Sequence, residues 1–429
     1  MIDVSVLYAG LETASKPHRY GKALEQLRVD PNHAHEVAKS ARGRRPIVVW
    51  NVTRTCNLRC VHCYSDSEAK KYDGELSTDE GKALLTDLAA YKVPAVLFSG
   101  GEPLARRDLF ELAAFAREQG LHVVLSTNGT LIDAKTAQRL RDVDFSYVGV
   151  SLDGMGAVND RFRGVEGAFE AALAGIRALK AVGQKVGLRL TLTRATFQEL
   201  DNLFALIERE RIDRVCFYHL VPSGRGKGVL DLSVDESRRA IDTILAHTKR
   251  LANFASDRQA SRRLACASEM GSPTDTEGEP DHIAEHRVEV LTVDNHCDGP
   301  YLYMKMLAEG DARADEVFSL LKWNGGALAS SGVGIACVSW NGDVHPDQFW
   351  RHLKLGNVRE RPFTQIWDDT SNPLLAALRD RKPHLTGRCA TCRFVDACGG
   401  SLRVRADLMT GNTWAPDPGC YLTDAEIAG

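Results

Sequence analysis

Three cysteines fall within eight positions, as Cys56-x3-Cys60-x2-Cys63 in the run Cys56-Asn57-Leu58-Arg59-Cys60-Val61-His62-Cys63-Tyr64. Three thiolates can hold three irons of a cubane 4Fe–4S cluster and leave the fourth iron open to an outside molecule. Zinc is the rival reading, although structural zinc asks for four closed ligands. His62 is the one neighbour able to supply a fourth, and it sits between Val61 and Cys63 with poor reach. A second set, Cys389-x2-Cys392-x5-Cys398 followed by Cys420, has a tight leading pair and a remote closer. Four thiolates so spaced suit either zinc or a fully ligated Fe–S cluster, and ligand count does not choose between them.

The first thiols follow Ile47-Val48-Val49-Trp50-Asn51-Val52, a run rich in β-branched and aromatic residues that predicts a buried strand. They therefore belong to a loop at the C-terminal end of a strand, where α/β folds keep their chemistry. From Pro46 onward strands and helices alternate. Ser77-Thr78-Asp79-Glu80 predicts a capped helix running to about Tyr91. Further strands are expected at 96–98, 123–125, 147–150, 186–192 and 215–218, each with a helix after it. Six βα units predict a partial (β/α)6 barrel of the α/β class, kin to the eight-fold barrel. The expected organisation is a lead-in over 1–45, a barrel over 46–252, an insert or linker over 253–289 and a small Fe–S domain over 290–429. Asn341-Gly342 between apolar runs predicts a hairpin in that last domain. The basic end of the lead-in, Lys39–Arg45, reads as a solvated segment or a flap over the barrel mouth.

Bulk properties narrow the field. The chain has 429 residues, 44% of them hydrophobic, and a net charge of -3, which argues against a broad nucleic-acid surface. No apolar run reaches the ~18 residues of a membrane span. The first residues lack the basic and apolar parts of a signal peptide, so a cytoplasmic protein is expected. Eleven cysteines without a secretory signal point to metal or redox use rather than disulfides. Cys216, Cys266, Cys297 and Cys337 have no partners at ligand spacing and read as buried or spare thiols.

Cys-x3-Cys-x2-Cys at the end of a first strand resembles the radical S-adenosylmethionine (SAM) superfamily, and further motifs extend the likeness. Ser99-Gly100-Gly101-Glu102-Pro103, one βα unit after the cysteine loop, looks like the family motif that holds the SAM amino group. Asn128 at the end of the third strand and Ser151 and Asp153 at the end of the fourth match positions that line SAM in the family. The resemblance implies ribose contacts for Ser151 and Asp153 and a cation near the SAM carboxylate from Arg163. The C-terminal cysteines are similar to the SPASM extension, which carries auxiliary 4Fe–4S clusters. A full SPASM domain holds two. Here Asp347 and Leu402 stand where two of the cysteines would fall, so one auxiliary cluster on Cys389, Cys392, Cys398 and Cys420 is the reading that results.

The stretches 47–55, 341–347 and 414–423 look like the tetrapyrrole-processing branch of the family. Its members remove acetate or propionate side chains from didecarboxysiroheme, and 1–21 with 289–303 look closer to the acetate-removing kind. The resemblance implies SAM and two 4Fe–4S clusters as cofactors. It also implies an iron tetrapyrrole as substrate and an electron donor such as ferredoxin or flavodoxin as partner. Arg225, in a Gly/Arg/Lys loop after the sixth strand, is expected to meet substrate carboxylates, and His345 is a candidate ligand of the substrate iron. A peptide-modifying enzyme is the alternative within the superfamily. The 45 residues expected before the barrel are few for the winged-helix domain that such enzymes use.

Overall fold

A computed structural model describes residues 1–13, 45–268, 287–323 and 330–428, with no side chains from 254 to 268. The lead-in arginines before Arg45, Cys266 and most of the expected insert lie outside the residues or side chains so described.

Eleven strands form one sheet in the order β1-β8-β7-β6-β5-β4-β3-β2-β9-β10-β11. The barrel wall is the parallel run β2 (Ile47–Thr53), β3 (Val96–Gly100), β4 (Val123–Thr127), β5 (Tyr147–Ser151), β6 (Val186–Leu192) and β7 (Arg214–His219). These six are the predicted strands, and helices such as Thr78–Ala90, Ala168–Ala181 and Leu200–Arg209 connect them. Ser77 and Glu80 make the expected reciprocal capping box.

The alternation along each strand divides the barrel into two environments. Val48, Trp50, Val52, Val96, Phe98, Leu125, Val148, Val150, Leu188 and Leu190 face the helices and belong to one buried cluster. The intervening positions, among them Asn51, Ser99, Ser126, Ser151, Arg189 and Tyr218, form the inner face.

Two segments differ from expectation. Glu289–Val293 (β8) pairs in parallel with β7, so the wall has a seventh strand and the predicted boundary at 290 falls inside it. β1 (Ile2–Asp3) closes this edge by antiparallel pairing with β8. The helix Val234–Ser268 runs past the expected barrel end at 252 into the expected insert, where Ala, Arg, Gln and Leu are good helix formers. The other edge extends into the C-terminal region, because β9 (Ile335–Val338) pairs in parallel with β2. β9 and β10 (Asp343–His345) form the predicted hairpin, with Gly342 at φ +86°, and β11 (Gly356–Asn357) follows.

The C-terminal region is also fastened through charge. Arg405 is fully buried and pairs with Asp417 at 3.0 Å. Its remaining N–H groups donate to the carbonyls of Leu220 at 3.2 Å and Asp294 at 2.5 Å, beyond the ends of β7 and β8. Removing one partner of such a pair leaves a buried charge without compensation, at a cost of about 3–5 kcal/mol. Arg405→Ala is expected to lower stability by about that amount, read as a fall in Tm beside a small change for Arg351→Ala.

Candidate functional site

The loop carrying Cys56, Cys60 and Cys63 has little secondary structure of its own, so its backbone groups are satisfied from outside. Cys56 N donates to Glu68 O at 3.0 Å, Arg59 N to Arg163 O at 3.1 Å and Val61 N to Phe162 O at 2.9 Å. Arg225 closes the loop from the β7 side. Its Nε donates to Cys60 O at 2.8 Å, its Nη2 to Ser67 O at 3.0 Å, and its backbone N to Cys63 O at 3.0 Å. Arg225 therefore clamps the cysteine loop through Nε and Nη2, a structural role that the sequence expectation of a substrate contact did not include.

The Gly-Gly-Glu-Pro turn approaches this loop backbone to backbone. Gly101 N donates to Thr53 O at 2.8 Å and Glu102 N to Thr55 O at 2.9 Å, and a Cβ on Gly101 would overlap Thr55 O. Glu102 is wholly buried, and its carboxylate accepts from Thr127 Oγ1 at 2.7 Å, Asn128 N at 2.8 Å and Leu104 N at 3.1 Å. Burial pushes its pKa up in spite of these bonds. Glu102 thus ties the β3 and β4 ends together, and these bonds occupy its carboxylate.

Asn128 Nδ2 donates to Asn57 Oδ1 at 2.8 Å and lies 4.0 Å from Cys56 Sγ. Ser99 is buried, with Oγ 3.5 Å from Tyr64 OH, and Ser151 is partly exposed at the end of β5. Arg163 reaches the thiols, with Nη1 3.6 Å from Cys60 Sγ. Asp153, expected at a ribose, is wholly buried, ion-pairs with Arg163 and accepts from Thr191 N at 2.7 Å. One of its oxygens orients Arg163 and the other holds Thr191 N, so Ser151 is the partly exposed residue of that pair.

The loop fits a three-thiolate cluster. Leu58 N donates to Cys56 Sγ at 3.4 Å and Arg163 approaches Cys60, so donors surround the sulfurs. Two buried polar atoms beside them, His62 Nδ1 and Arg163 Nε, have no partner. Sequence reasoning gave His62 no role beyond a poor metal ligand. The structure stacks it on Phe162 at 4.5 Å between centroids, and burial lowers its pKa to about 4, so the ring is neutral at pH 7. Its place between two cysteines was the available signal.

The second constellation is also assembled. Cys389, Cys392, Cys398 and Cys420 line a single cavity with Phe394, Val395, Asp417 and Leu422. Phe394 N donates to Cys392 Sγ at 3.4 Å. Asp417 shapes the Cys420 loop by accepting from Leu402 N and Gly419 N, each at 2.9 Å. Tyr421 donates to Asp298 at 2.6 Å, and Asp298 meets His219 at 3.0 Å. Cys297, buried at the start of the helix Asp298–Ala308, lies beside the Cys420 loop with its Sγ 4.0 Å from Gly419 O, a neighbour that spacing did not reveal. Cys337 is buried and receives Asn51 Nδ2 at 3.5 Å, outside the cavity that the four cysteines share. His345 is buried with Nδ1 2.6 Å from Leu353 O, a satisfied core histidine rather than an iron ligand.

The family model for the radical SAM superfamily matches residues 50–207, and a model described as an iron-sulfur cluster-binding domain (SPASM) matches residues 331–393. Fe-coproporphyrin III synthase of Methanosarcina barkeri is 50% identical over 100% of this chain and 99% of its own length. The chain belongs to the radical SAM superfamily. Pre-heme d1 synthase of Dinoroseobacter shibae is 41% identical over 90% of this chain and 89% of its own. The crystal structure of Streptococcus suis SuiB bound to S-adenosylmethionine shares the fold, with a TM-score of 0.63, 17% identity and cover of 93% of this chain and 83% of that one. As a radical SAM protein with a SPASM region, the chain takes SAM and two 4Fe–4S clusters as cofactors. The SPASM match stops short of Cys398 and Cys420, which the fold nevertheless brings to the same cavity.

The Cys420 corner carries a pH dependence. Burial alone would raise the carboxyl pKa values of Asp417 and Asp298, but Arg405 beside Asp417 and His219 beside Asp298 hold both below the usual value of 3.8. A depressed carboxylate contributes stability that is complete above its unfolded pKa and lost as pH falls through the folded one. In protein stripped of iron, lowering the pH below about 4 is expected to expose Cys420 to a thiol reagent. Asp417→Asn should expose it already at pH 7.

Proposed function

We propose that this chain removes the two acetate side chains of 12,18-didecarboxysiroheme to give iron-coproporphyrin III, using one SAM per side chain. The observation that carries this reading is the 50% identity, end to end, with an Fe-coproporphyrin III synthase. Breaking a carbon–carbon bond on a carbon without an activating group calls for radical rather than acid–base chemistry, in agreement with the cysteine loop at the barrel mouth.

In this reading Cys56, Cys60 and Cys63 hold the SAM-facing cluster, and Cys389, Cys392, Cys398 and Cys420 hold the auxiliary one. When bound, the first cluster supplies the electron that splits SAM into methionine and the 5′-deoxyadenosyl radical, which takes the substrate hydrogen. The backbone of Ser99, Gly100 and Gly101 receives the SAM amino group. Ser151 and Asn128 line the nucleoside, Arg163 stands by the carboxylate, and Glu102 and Asp153 fix the elements that present them. The sheet and its helices keep water from the radical. The electron donor is a small redox protein such as ferredoxin or flavodoxin, and the setting is the cytoplasm. No helix among the described residues is long and apolar enough to cross a membrane.

The 41% identity with a pre-heme d1 synthase supports a second reading, in which propionates leave instead. Anaerobic incubation with didecarboxysiroheme separates the two by product mass. Loss of two acetates is expected, and loss of propionates with the acetates retained would move the assignment to the second reading.

The anaerobically prepared protein is expected to hold about eight irons as two cubanes. Changing Cys56, Cys60 and Cys63 together to Ala should leave about four irons and abolish 5′-deoxyadenosine formation. Cys392→Ala should damage the C-terminal cluster alone. Stoichiometric zinc in protein handled without oxygen would overturn the Fe–S assignment there.

A further inference from the structure

The inner face of the barrel carries a guanidinium with no ion pair among the described residues. Arg189, on β6, is partly buried and occupies an inner-face position of its strand. Its Nε has no hydrogen-bond partner. The ionisable groups that act on it most are the phenols of Tyr218 and Tyr147 and the thiol of Cys216, and the buried Asp294 acts on Tyr218 in turn. Burial pushes the Tyr147 phenol up to about 12 and the Tyr218 phenol higher, so neither supplies a countercharge near neutral pH. An enclosed cation without an anion is costly to keep.

The strands make room for this side chain. A Cβ on Gly149 would overlap Arg189 Nε, and one on Gly187 would overlap the Tyr147 hydroxyl. Glycine inside a strand weakens it and marks a place where something must approach closely. Cys216, Leu291 and Val293 form an apolar wall beside Tyr218 on the same side of the barrel. A carboxylate carried on a large apolar ring matches a lone guanidinium next to such a wall.

Two carboxylates come into question, that of SAM and that of a substrate side chain. Arg163 already stands at the SAM end, next to Cys60. Arg189 lies opposite Ser151 in register, but its guanidinium turns back over Gly149, toward the barrel floor. That places it below the strand end where Ser151 stands, apart from Arg163. We propose that Arg189 binds the carboxylate of the tetrapyrrole side chain that enters the barrel to react, an assignment that rests on the tetrapyrrole reading above.

The test uses the full chain with both clusters, titrated anaerobically with didecarboxysiroheme by visible absorbance and, separately, with SAM. Arg189→Gln is expected to weaken tetrapyrrole binding roughly 30-fold, the range of a charge-assisted bidentate contact, with SAM affinity unchanged. Arg189→Lys should recover part of the loss, because it restores the charge without the fork. Esterifying the substrate carboxylates should weaken binding to wild type much more than to Arg189→Gln. Should the Gln protein not fold, the acid-to-ester ratio of the Lys protein answers the same question. An acid-to-ester ratio equal to that of wild type, or a loss confined to SAM, would overturn the proposal. Wild-type protein that binds SAM but neither form of the tetrapyrrole brings down the reading on which it rests.

Discussion

A loop that must offer three thiols to a cluster cannot spend its own backbone on a regular element, so other elements have to hold it. The cysteine stretch 56–63 donates N–H groups to Glu68 O, Arg163 O and Phe162 O, and carbonyls in and just before it accept from Arg225 and from the Gly-Gly-Glu-Pro turn. These partners lie in the segments that follow β2, β3, β5 and β7. Position of the thiols is thus set by the parallel sheet as a whole, and the sheet in turn sets which groups surround them. Arg163 is the point where these demands meet. It supports the loop through its carbonyl, approaches Cys60 through its guanidinium and is itself oriented by the buried Asp153.

The C-terminal region repeats the arrangement with different material. Cys420 is held between Asp417 and Tyr421, and both lead back to the barrel. Asp417 pairs with Arg405, which donates to carbonyls beyond β7 and β8, and Tyr421 bonds to Asp298 and through it meets His219 at the end of β7. The same strand ends that shape the barrel mouth therefore fix the second cysteine cavity. Pairing of β9 with β2 fastens the opposite edge, and Arg351 adds contacts of 2.7 Å to Tyr64 O and to Asp66. The two cysteine sites are built on one continuous sheet.

Cysteine spacing, the glycine-rich turn and the strand–helix alternation could be read without coordinates because each is a local pattern. A thiol triplet after a β-branched run, a Ser-x-x-Glu box or an Asn-Gly turn depends on residues a few positions apart, and the fold keeps all three. What the tertiary structure decided is which side chains are already spent. Glu102, Asp153, Arg225 and His345 all carry groups suited to a ligand, and only packing shows that Thr127, Arg163, Cys60 O and Leu353 O have taken them. Arg189 is the converse case. In sequence it is one arginine in an apolar strand, and only strand alternation together with Gly149 on the neighbouring strand and Gly187 on its own leaves it on the inner face with no ion pair among the described residues. The place of β8 as the seventh wall strand was hidden for a similar reason, since its partner β7 lies about seventy residues earlier and pairing at that range leaves no mark in local periodicity.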